Sequence, residues 1–245
     1  MQGRLLARIV MHPPQPTTQG GQARRDLAGE AASPHRDAIV REAKELIRDS
    51  GYGQLTVERV IQAAGVSRAT FYFYFRNKKH LFLEVANAVM EEMFEVAGRH
   101  YPEKDEFSRI VLANVSYLGI WKRESRFLCE FFAISLTDDE FHAIYDWHRK
   151  RFESRISGRF DRLLEQQRIP ACIPILLAAS LSSMVEFMAV RYFGPQEDVI
   201  QTRYSFRQLI AALSESWYRS VYGRPAPSGF DYSQFLPRED DELQG

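Results

Sequence analysis

The segment TVERVIQAAGVSRATFYFYFRNKKH, residues 56–80, carries the strongest local signals in the chain. Thr56 precedes a short amphipathic run and is placed to cap a helix, and Gly65 ends that run because a residue without a Cβ adopts positive φ readily. Ser67 is placed to cap the next helix. A helix, a tight turn and a second helix that starts with small and basic side chains together predict a helix-turn-helix.

The aromatic run Phe71 to Phe75 favours a strand by residue preference alone. It is too short and too closely bounded for that, because a Ser cap precedes it and a lysine-rich helix start follows it. We therefore predict that it is helical, with Phe71 and Phe75 on the buried face since they are four residues apart.

Helical periodicity continues on both sides of this segment. Apolar residues recur at helical spacing from Ile39 to Ile47 and stop at Ser50 and Gly51, and a longer helix is predicted from near Asn77 to Gly98. Further helices are predicted at about 105–123, 125–135, 138–168, 174–193 and 199–222. Because no segment alternates as a strand does, the predicted fold class is all-α.

Charge is distributed unevenly along the 245 residues. Lys and Arg number 32, as do Asp and Glu, so the whole chain has no general attraction to a polyanion. Residues 34–80 nevertheless contain nine basic and five acidic side chains, whereas residues 81–222 contain 17 basic and 20 acidic ones. Such a split is expected when one module contacts a polyanion.

Other features exclude several classes of protein. Cys129 and Cys172 lack the paired spacing of a zinc or redox site, which predicts buried thiols in a reducing compartment. The longest uncharged apolar run, residues 171–185, is shorter than a membrane span. Since the first 33 residues also lack a signal-peptide core, we predict a cytoplasmic protein without a membrane partner.

The segment from Arg36 to Val85 resembles the DNA-binding signature of the tetracycline-repressor (TetR) family. The resemblance implies an all-helical fold in which three N-terminal helices bind DNA and a larger C-terminal part dimerises and holds a small-molecule effector. FYFYF and the later SWYRSVYG further resemble the ethionamide-regulator branch, whose effector site is a long apolar tunnel. The resemblance is carried by Thr56, Val57, Ile61, Ala63, Gly65, Val66, Ser67, Thr70, Phe71, Tyr72, Tyr74, Phe75, Lys78 and Leu81.

The organisation predicted on these grounds has four parts. Residues 1–33 form a flexible N-terminal arm, residues 34–80 the helix-turn-helix domain, and residues 81–222 the helical effector-binding and dimerisation domain. Residues 223–245 form a flexible acidic tail.

The first turn of the second helix of the motif supplies the predicted base contacts. Helix N-termini present free amide groups and a positive dipole end, so Ser67, Arg68, Ala69 and Thr70 are offered to the major groove. The resemblance adds Tyr72 as a groove contact and Tyr74 as a phosphate contact. Their alternative role is aromatic packing with a solvated hydroxyl.

Further side chains are candidates for the DNA backbone. Lys78 and Lys79 begin the next helix, where the dipole disfavours cations unless they neutralise phosphate, although a solvated surface is the alternative. Thr56 is either a cap or a contact. Arg36 and the pair Arg24-Arg25 could reach DNA as an N-terminal arm does.

The aromatic C-terminal part is predicted to enclose an apolar effector cavity. Glu186 lies in an otherwise apolar helix, and it is either a polar anchor in the cavity or the partner of Arg191 or another base. The predicted wall residues, for which core packing is the alternative, are Trp121, Phe131, Phe132, Trp147, Met184, Phe187 and Met188.

The last two long helices resemble the pair that forms a four-helix bundle between two subunits. A two-fold dimer would place two reading helices about one DNA turn apart and predicts a palindromic operator. The six histidines lack a metal-ligand pattern, and no phosphate loop or nucleophile motif is present, so neither enzyme activity nor a cofactor is predicted. A helical adaptor that binds an acidic protein is the alternative function.

Overall fold

The computed structural model describes residues 33–99, 101 and 104–236, and these residues form helices without any strand. The all-α prediction is therefore confirmed for this part of the chain. The predicted N-terminal arm lies outside it, apart from Ser33, as do Arg24 and Arg25. The helices are α1 (Pro34–Ser50), α2 (Val57–Ala64), α3 (Arg68–Tyr74), α4 (Lys78–Ala97), α5 (Glu106–Ser135), α6 (Asp139–Glu165), α7 (Pro174–Phe193), α8 (Val199–Arg203) and α9 (Phe206–Tyr222).

The helix-turn-helix forms as its local signals predict. The Thr56 hydroxyl accepts a hydrogen bond from the Arg59 amide, and the Ser67 hydroxyl accepts one from the Thr70 amide. Between the two helices Gly65 is left-handed, with a φ of 63°. The aromatic run is helical, and both Phe71 and Phe75 are buried.

Helix α4 connects the N-terminal unit to the larger helical unit. Its first half contributes Leu81, Phe82 and Val85 to the buried core, and it packs against α1, α5 and α6. The Phe82 ring stacks on Tyr52 at a centroid distance of 4.3 Å and lies 5.0 Å from the ring of Phe127 in α5. The junction between the two units is thus an aromatic core.

Three details differ from what the sequence predicts. Helix α5 is one helix with a kink at Glu124, which has non-helical φ and ψ, and not two separate helices. The predicted helix over 199–222 is divided at Tyr204, because Ser205 and Gln208 form a capping box that starts α9 afresh. The two cysteines are free thiols that are only half-buried.

The prediction of a flexible tail from residue 223 is wrong for its first part. Residues 223–236 include a 3₁₀ turn, Tyr232–Gln234, and Tyr232 and Leu236 are buried. The Phe230 ring packs edge-on against Phe107 in α5 at 4.7 Å. These apolar side chains outweigh the polar composition of the segment and hold it against the bundle.

Helix α7 is less covered than its composition would suggest. Among the described residues it is the one helix long and apolar enough to cross a membrane by length and composition. Only Ala178, Leu181, Val185 and Ala189 of its residues are buried. One side of α7 therefore remains an apolar surface.

Candidate nucleic-acid interface and ligand cavity

The first turn of α3 and its outer face form a continuous exposed surface. Ser67, Arg68 and Ala69 are exposed, Thr70 is half-buried, and Tyr72 is exposed one turn further on. The fold thus brings the predicted base-contacting residues together. Because Phe71 and Phe75 anchor the opposite face, this surface is held on a rigid support.

Arg68 is held only weakly within the chain. Its guanidinium lies 3.1 Å from a Glu58 carboxylate oxygen, and the two side chains are 65% and 64% exposed. The guanidinium also lies 5.7 Å from the centre of the Tyr72 ring. Exposed ion pairs contribute about 0–1 kcal/mol, so Arg68 can exchange this partner for another at little cost.

The remaining candidates for the DNA backbone already have partners in the chain. The exposed Thr56 acts as a helix cap, and the Tyr74 hydroxyl donates to the Ser33 hydroxyl at 2.7 Å. The Lys78 ammonium donates to the Leu55 carbonyl at 3.2 Å. The Lys79 ammonium pairs with Asp138 and Glu140, at 2.8 and 2.9 Å.

The alternative of a solvated surface is therefore wrong for the two lysines. Lys78 closes the loop before α2, and its ammonium lies 4.7 Å from the centre of the Tyr52 ring. Lys79 connects the start of α4 to the start of α6. A phosphate contact by Lys79 would have to replace two carboxylates.

A large cavity lies among α4, α5, α6, α7 and α9. Its empty space, including the open mouth, is about 1250 Å³. The apolar part of its wall includes Met90, Met93, Phe94, Ile110, Phe152, Ile156, Phe160 and Trp217. A smaller cavity of about 230 Å³ shares Met90, Met93, Tyr145 and Glu186 with it.

Comparison with known proteins identifies the family. Residues 39–85 match the model of the bacterial regulatory proteins, tetR family. The HTH-type transcriptional regulator EthR of Mycobacterium tuberculosis is 31% identical over 224 residues, which cover 84% of this chain and 98% of that protein. The chain belongs to the TetR family of bacterial regulatory proteins.

Other similar proteins agree with this assignment. EthR of Mycolicibacterium smegmatis is 23% identical over 216 residues, covering 84% of this chain and 96% of that protein. The crystal structure of a transcriptional regulator from Saccharomonospora viridis in complex with choline has a TM-score of 0.64 and 18% identity, covering 79% of this chain and 100% of that one. The protein is accordingly a DNA-binding transcriptional regulator of the repressor kind.

One exposed residue of the TetR-family motif was not predicted from the sequence. Phe73 is 64% exposed and adjoins Tyr72 on the outer face of α3. Helical spacing could have predicted this exposure, because a residue midway between the buried Phe71 and Phe75 points away from the core in a helix.

The structure places some of the predicted wall residues at the cavities and others away from them. Glu186 lines both cavities, and Trp121, Phe131 and Phe132 line the smaller one. Trp147, Met184 and Met188 line neither cavity, and Phe187 is 61% exposed on the outer side of α7. Because α7 is apolar nearly all round, its sequence does not indicate which side faces inward.

The contribution of α4 to the cavity was also not predicted. Met90, Met93 and Phe94 line it, although the predicted wall was drawn only from later helices. The periodic apolar residues of α4 continue to Val96, well beyond what packing on the three N-terminal helices needs. The length of this apolar run could have indicated that α4 also contributes to the cavity.

Glu186 has a partner, but not the predicted Arg191. The Tyr145 hydroxyl donates to its carboxylate at 2.8 Å, whereas Arg191 pairs with Asp198. Burial raises the pKa of Glu186, and the hydrogen bond from Tyr145 offsets this only in part. The cavity therefore contains a carboxyl group that is incompletely compensated.

Replacing Glu186 by Gln should stabilise the protein more at high pH than at low pH. Because the pKa of Glu186 is raised on folding, the folded state binds more protons above the unfolded value of about 4.3, and the free energy of unfolding falls as pH rises through that window. Glutamine can still accept the Tyr145 hydrogen bond and has no charge to desolvate. Urea unfolding of both proteins near pH 4 and near pH 8 measures the difference.

The control for this comparison is Glu165→Gln, since Glu165 is an exposed acid on α6. Its neutralisation should change the free energy of unfolding by the same amount at both pH values. An equal effect of Glu186→Gln at both pH values would contradict the burial argument.

Proposed function

We propose that the protein is a homodimeric repressor that binds a palindromic operator and is released by a small, largely apolar effector. The observation that carries the proposal is the course of α4. Its first turn contacts the loop before α2 through Lys78, and Met90, Met93 and Phe94 near its other end line the large cavity. The helix has 20 residues. At the usual rise per residue it is about 30 Å long, so one rigid element contacts both sites.

The proposed contacts to DNA come from the α3 surface. Arg68 is placed for a base edge, Ser67, Ala69 and Thr70 for the groove floor, and Tyr72 beside them. The proposed phosphate contacts require side chains to exchange or share the internal partners described above. The residues concerned are Thr56, Tyr74, Lys78 and Lys79. Of these, Lys79 would lose the most, because two carboxylates hold it.

The proposed dimer uses the outer side of α7. Of the nine large apolar side chains that are exposed in the described residues, six lie between residues 173 and 204. Leu176, Ser180, Ser183 and Phe187 form one exposed stripe along α7, apolar at its two ends with small serines between them, and Ser183 also borders the large cavity. Exposed apolar patches of this kind mark interfaces, and a two-fold axis would pair the stripe with its own copy.

The helix pair that the resemblance assigns to the dimer is only partly accessible at the surface. Leu209, Ile210 and Leu213 of α9 are buried within their own chain. Leu176 and Val199 remain available at the surface. The organisation proposed for function keeps the helix-turn-helix at residues 34–80 and the effector and dimer part at 81–222, with α4 spanning the boundary.

Release of DNA follows from a preference of the effector for one conformation. An effector that binds the state with misaligned α3 helices about 100-fold better shifts the equilibrium by about 2.7 kcal/mol. In that state α4 displaces the helix-turn-helix units, so the two α3 helices no longer match successive major grooves. Because the chain belongs to a family of DNA-binding regulators, we do not propose the alternative of a helical adaptor for an acidic protein.

Arg68→Ala should weaken specific binding by about 1–3 kcal/mol and relax the preference at one or two base positions. The loss follows from removing the one cation on the α3 surface that can pair with a base edge. Arg48→Ala is the matched control, because Arg48 also forms an exposed ion pair, with Glu45 on α1. Titration of each variant on the operator and on scrambled duplex makes the measurement. Equal losses on both duplexes for Arg68→Ala would contradict the assignment.

The proposal as a whole is tested by footprinting on DNA that flanks the protein's own gene. We expect two equivalent protected half-sites whose centres lie about one helical turn apart, and loss of protection when a lipid extract of the host cells is added. Protection that is absent, or equally strong on scrambled duplex, would contradict DNA recognition. Protection that no extract relieves would contradict effector release.

A further inference from the structure

The large cavity is lined by the Arg149–Glu153 ion pair and, toward one end, by three further arginines. Arg109, Arg155 and Arg159 line it together with Ala97 and Tyr222, the last residues of α4 and α9. Glu186 borders the smaller cavity beside Trp121 at the other end. Arg109 and Trp121 are twelve residues apart on α5. This separation is about 18 Å along the helix axis.

The three arginines at the first end form no close ion pair with a carboxylate of the described residues. Arg109 donates to the Asp105 carbonyl and Arg155 to the Phe94 carbonyl, and among the described residues no carboxylate lies within ion-pair distance of either or of Arg159. The neighbouring arginines contrast with them, because Arg149 pairs with Glu153 and Arg151 with Glu91.

The environment of Arg155 indicates a need for an anion. Burial lowers the pKa of its guanidinium, so the charged form is less well solvated there than in water. Guanidinium groups bind carboxylates through paired hydrogen bonds that are about twice as strong as neutral ones. Glu95 and Glu91 act on this charge from beyond ion-pair distance and offset the effect of burial only in part, so an anionic group at this position would add to the compensation.

We propose that the effector is an amphiphilic carboxylate whose charged group is bound by Arg109, Arg155 and Arg159. Its hydrocarbon part lies along the apolar wall formed by Met93, Phe94, Phe152 and Ile156. This proposal rests on the proposed function, in which the same cavity is the effector site. The reverse orientation would place the carboxylate beside Glu186, where the nearby Arg149 is already paired with Asp146 and Glu153, so like-charge repulsion opposes it.

The position of Arg155 also relates the ligand to α4. Its guanidinium lies 3.4 Å from the centre of the Phe94 ring and donates to the Phe94 carbonyl near the end of α4. A bound carboxylate competes with that carbonyl for the same donors. Occupancy of the arginine end therefore changes the contact by which α6 holds α4.

The test compares three ligands with the same alkyl chain: decanoate, methyl decanoate and decylamine. Calorimetry on the full chain at neutral pH measures their affinities for the wild type, Arg155→Gln, Arg159→Gln and Arg162→Gln. Arg162 is the matched control, since it is an exposed arginine of α6 that lies outside the cavity wall. Methyl decanoate reports whether each variant keeps a folded cavity.

We expect decanoate to bind the wild type about tenfold more tightly than methyl decanoate does. Arg155→Gln and Arg159→Gln should each lose about tenfold for decanoate and change methyl decanoate by less than about twofold. Arg162→Gln should change neither. The proposal is overturned if decylamine or methyl decanoate binds as tightly as decanoate, if both variants keep full affinity for decanoate, or if none of the three ligands binds.

A parallel operator-binding measurement separates this inference from the proposed function. Decanoate that binds through the arginines without releasing the operator would contradict effector release and leave the ligand class intact. Methyl decanoate that releases the operator as well as decanoate does would leave effector release intact and overturn the ligand class.

Discussion

Phe187→Arg should leave the protein monomeric at micromolar concentration and weaken operator binding by at least about 100-fold. Phe187 lies in the exposed stripe on α7. A two-fold axis through that stripe would bring two introduced guanidinium groups together in an apolar contact. A monomer presents a single α3 helix and loses the second half-site. Sedimentation and DNA titration on the same samples measure the two effects.

The matched control is Leu136→Arg. Leu136 is 69% exposed at the end of α5 and is thus an equally accessible apolar residue outside the stripe. It should leave the oligomeric state and DNA binding unchanged. Dimers that persist in Phe187→Arg, or that dissociate equally in Leu136→Arg, would show that the α7 stripe is not the interface.

Phe82→Ala should reduce the free energy of unfolding by about 3–5 kcal/mol. The side chain is fully buried, and its ring packs on Tyr52, Phe127 and Phe141 at the junction of the two helical units. Truncation removes buried apolar surface and leaves a cavity that α4, α5 and α6 cannot easily close. Urea unfolding gives the change.

Phe73→Ala provides the same chemical change at an exposed position of α3. Its effect on unfolding should be within about 0.5 kcal/mol, since surface substitutions away from special features are nearly neutral. A small loss for Phe82→Ala, similar to that of Phe73→Ala, would show that the aromatic junction does not contribute as described.

Local chemistry made the helix-turn-helix predictable from the sequence. The caps at Thr56 and Ser67 and the left-handed Gly65 act within four residues, so they can be recognised without knowledge of the fold. The four-residue spacing of Phe71 and Phe75 likewise identified the buried face of α3. The same short-range logic predicted the extent of α4 and α7 closely.

Contacts between distant segments were not predictable in this way. Lys79 pairs with Asp138, 59 residues further along the chain, and no local pattern reveals such a partner. The tail packs through Phe230 and Tyr232, although its Pro, Gly and acidic residues suggested flexibility. In both cases tertiary contacts override the preference of the local segment.

Helix α7 contains one cavity residue that the sequence identified, beside residues whose orientation the sequence did not predict. Glu186 was identified because a carboxylate is unusual in an apolar helix. Its neighbour Phe187 is instead exposed, and Met188 packs against the core without lining either cavity. Helical periodicity indicates a buried face only when the opposite face is polar. On α7 both faces are apolar, because one packs against the bundle and the other forms the proposed dimer surface.

The mass of the complex on an inverted repeat, measured by native mass spectrometry, tests the central claim most directly. We predict two protomers on a duplex that carries both half-sites, with affinity lost steeply when one half-site is scrambled or when the spacing is changed by half a turn. A single protomer that binds one half-site as tightly as the full repeat would contradict a dimer that inserts two α3 helices into successive major grooves.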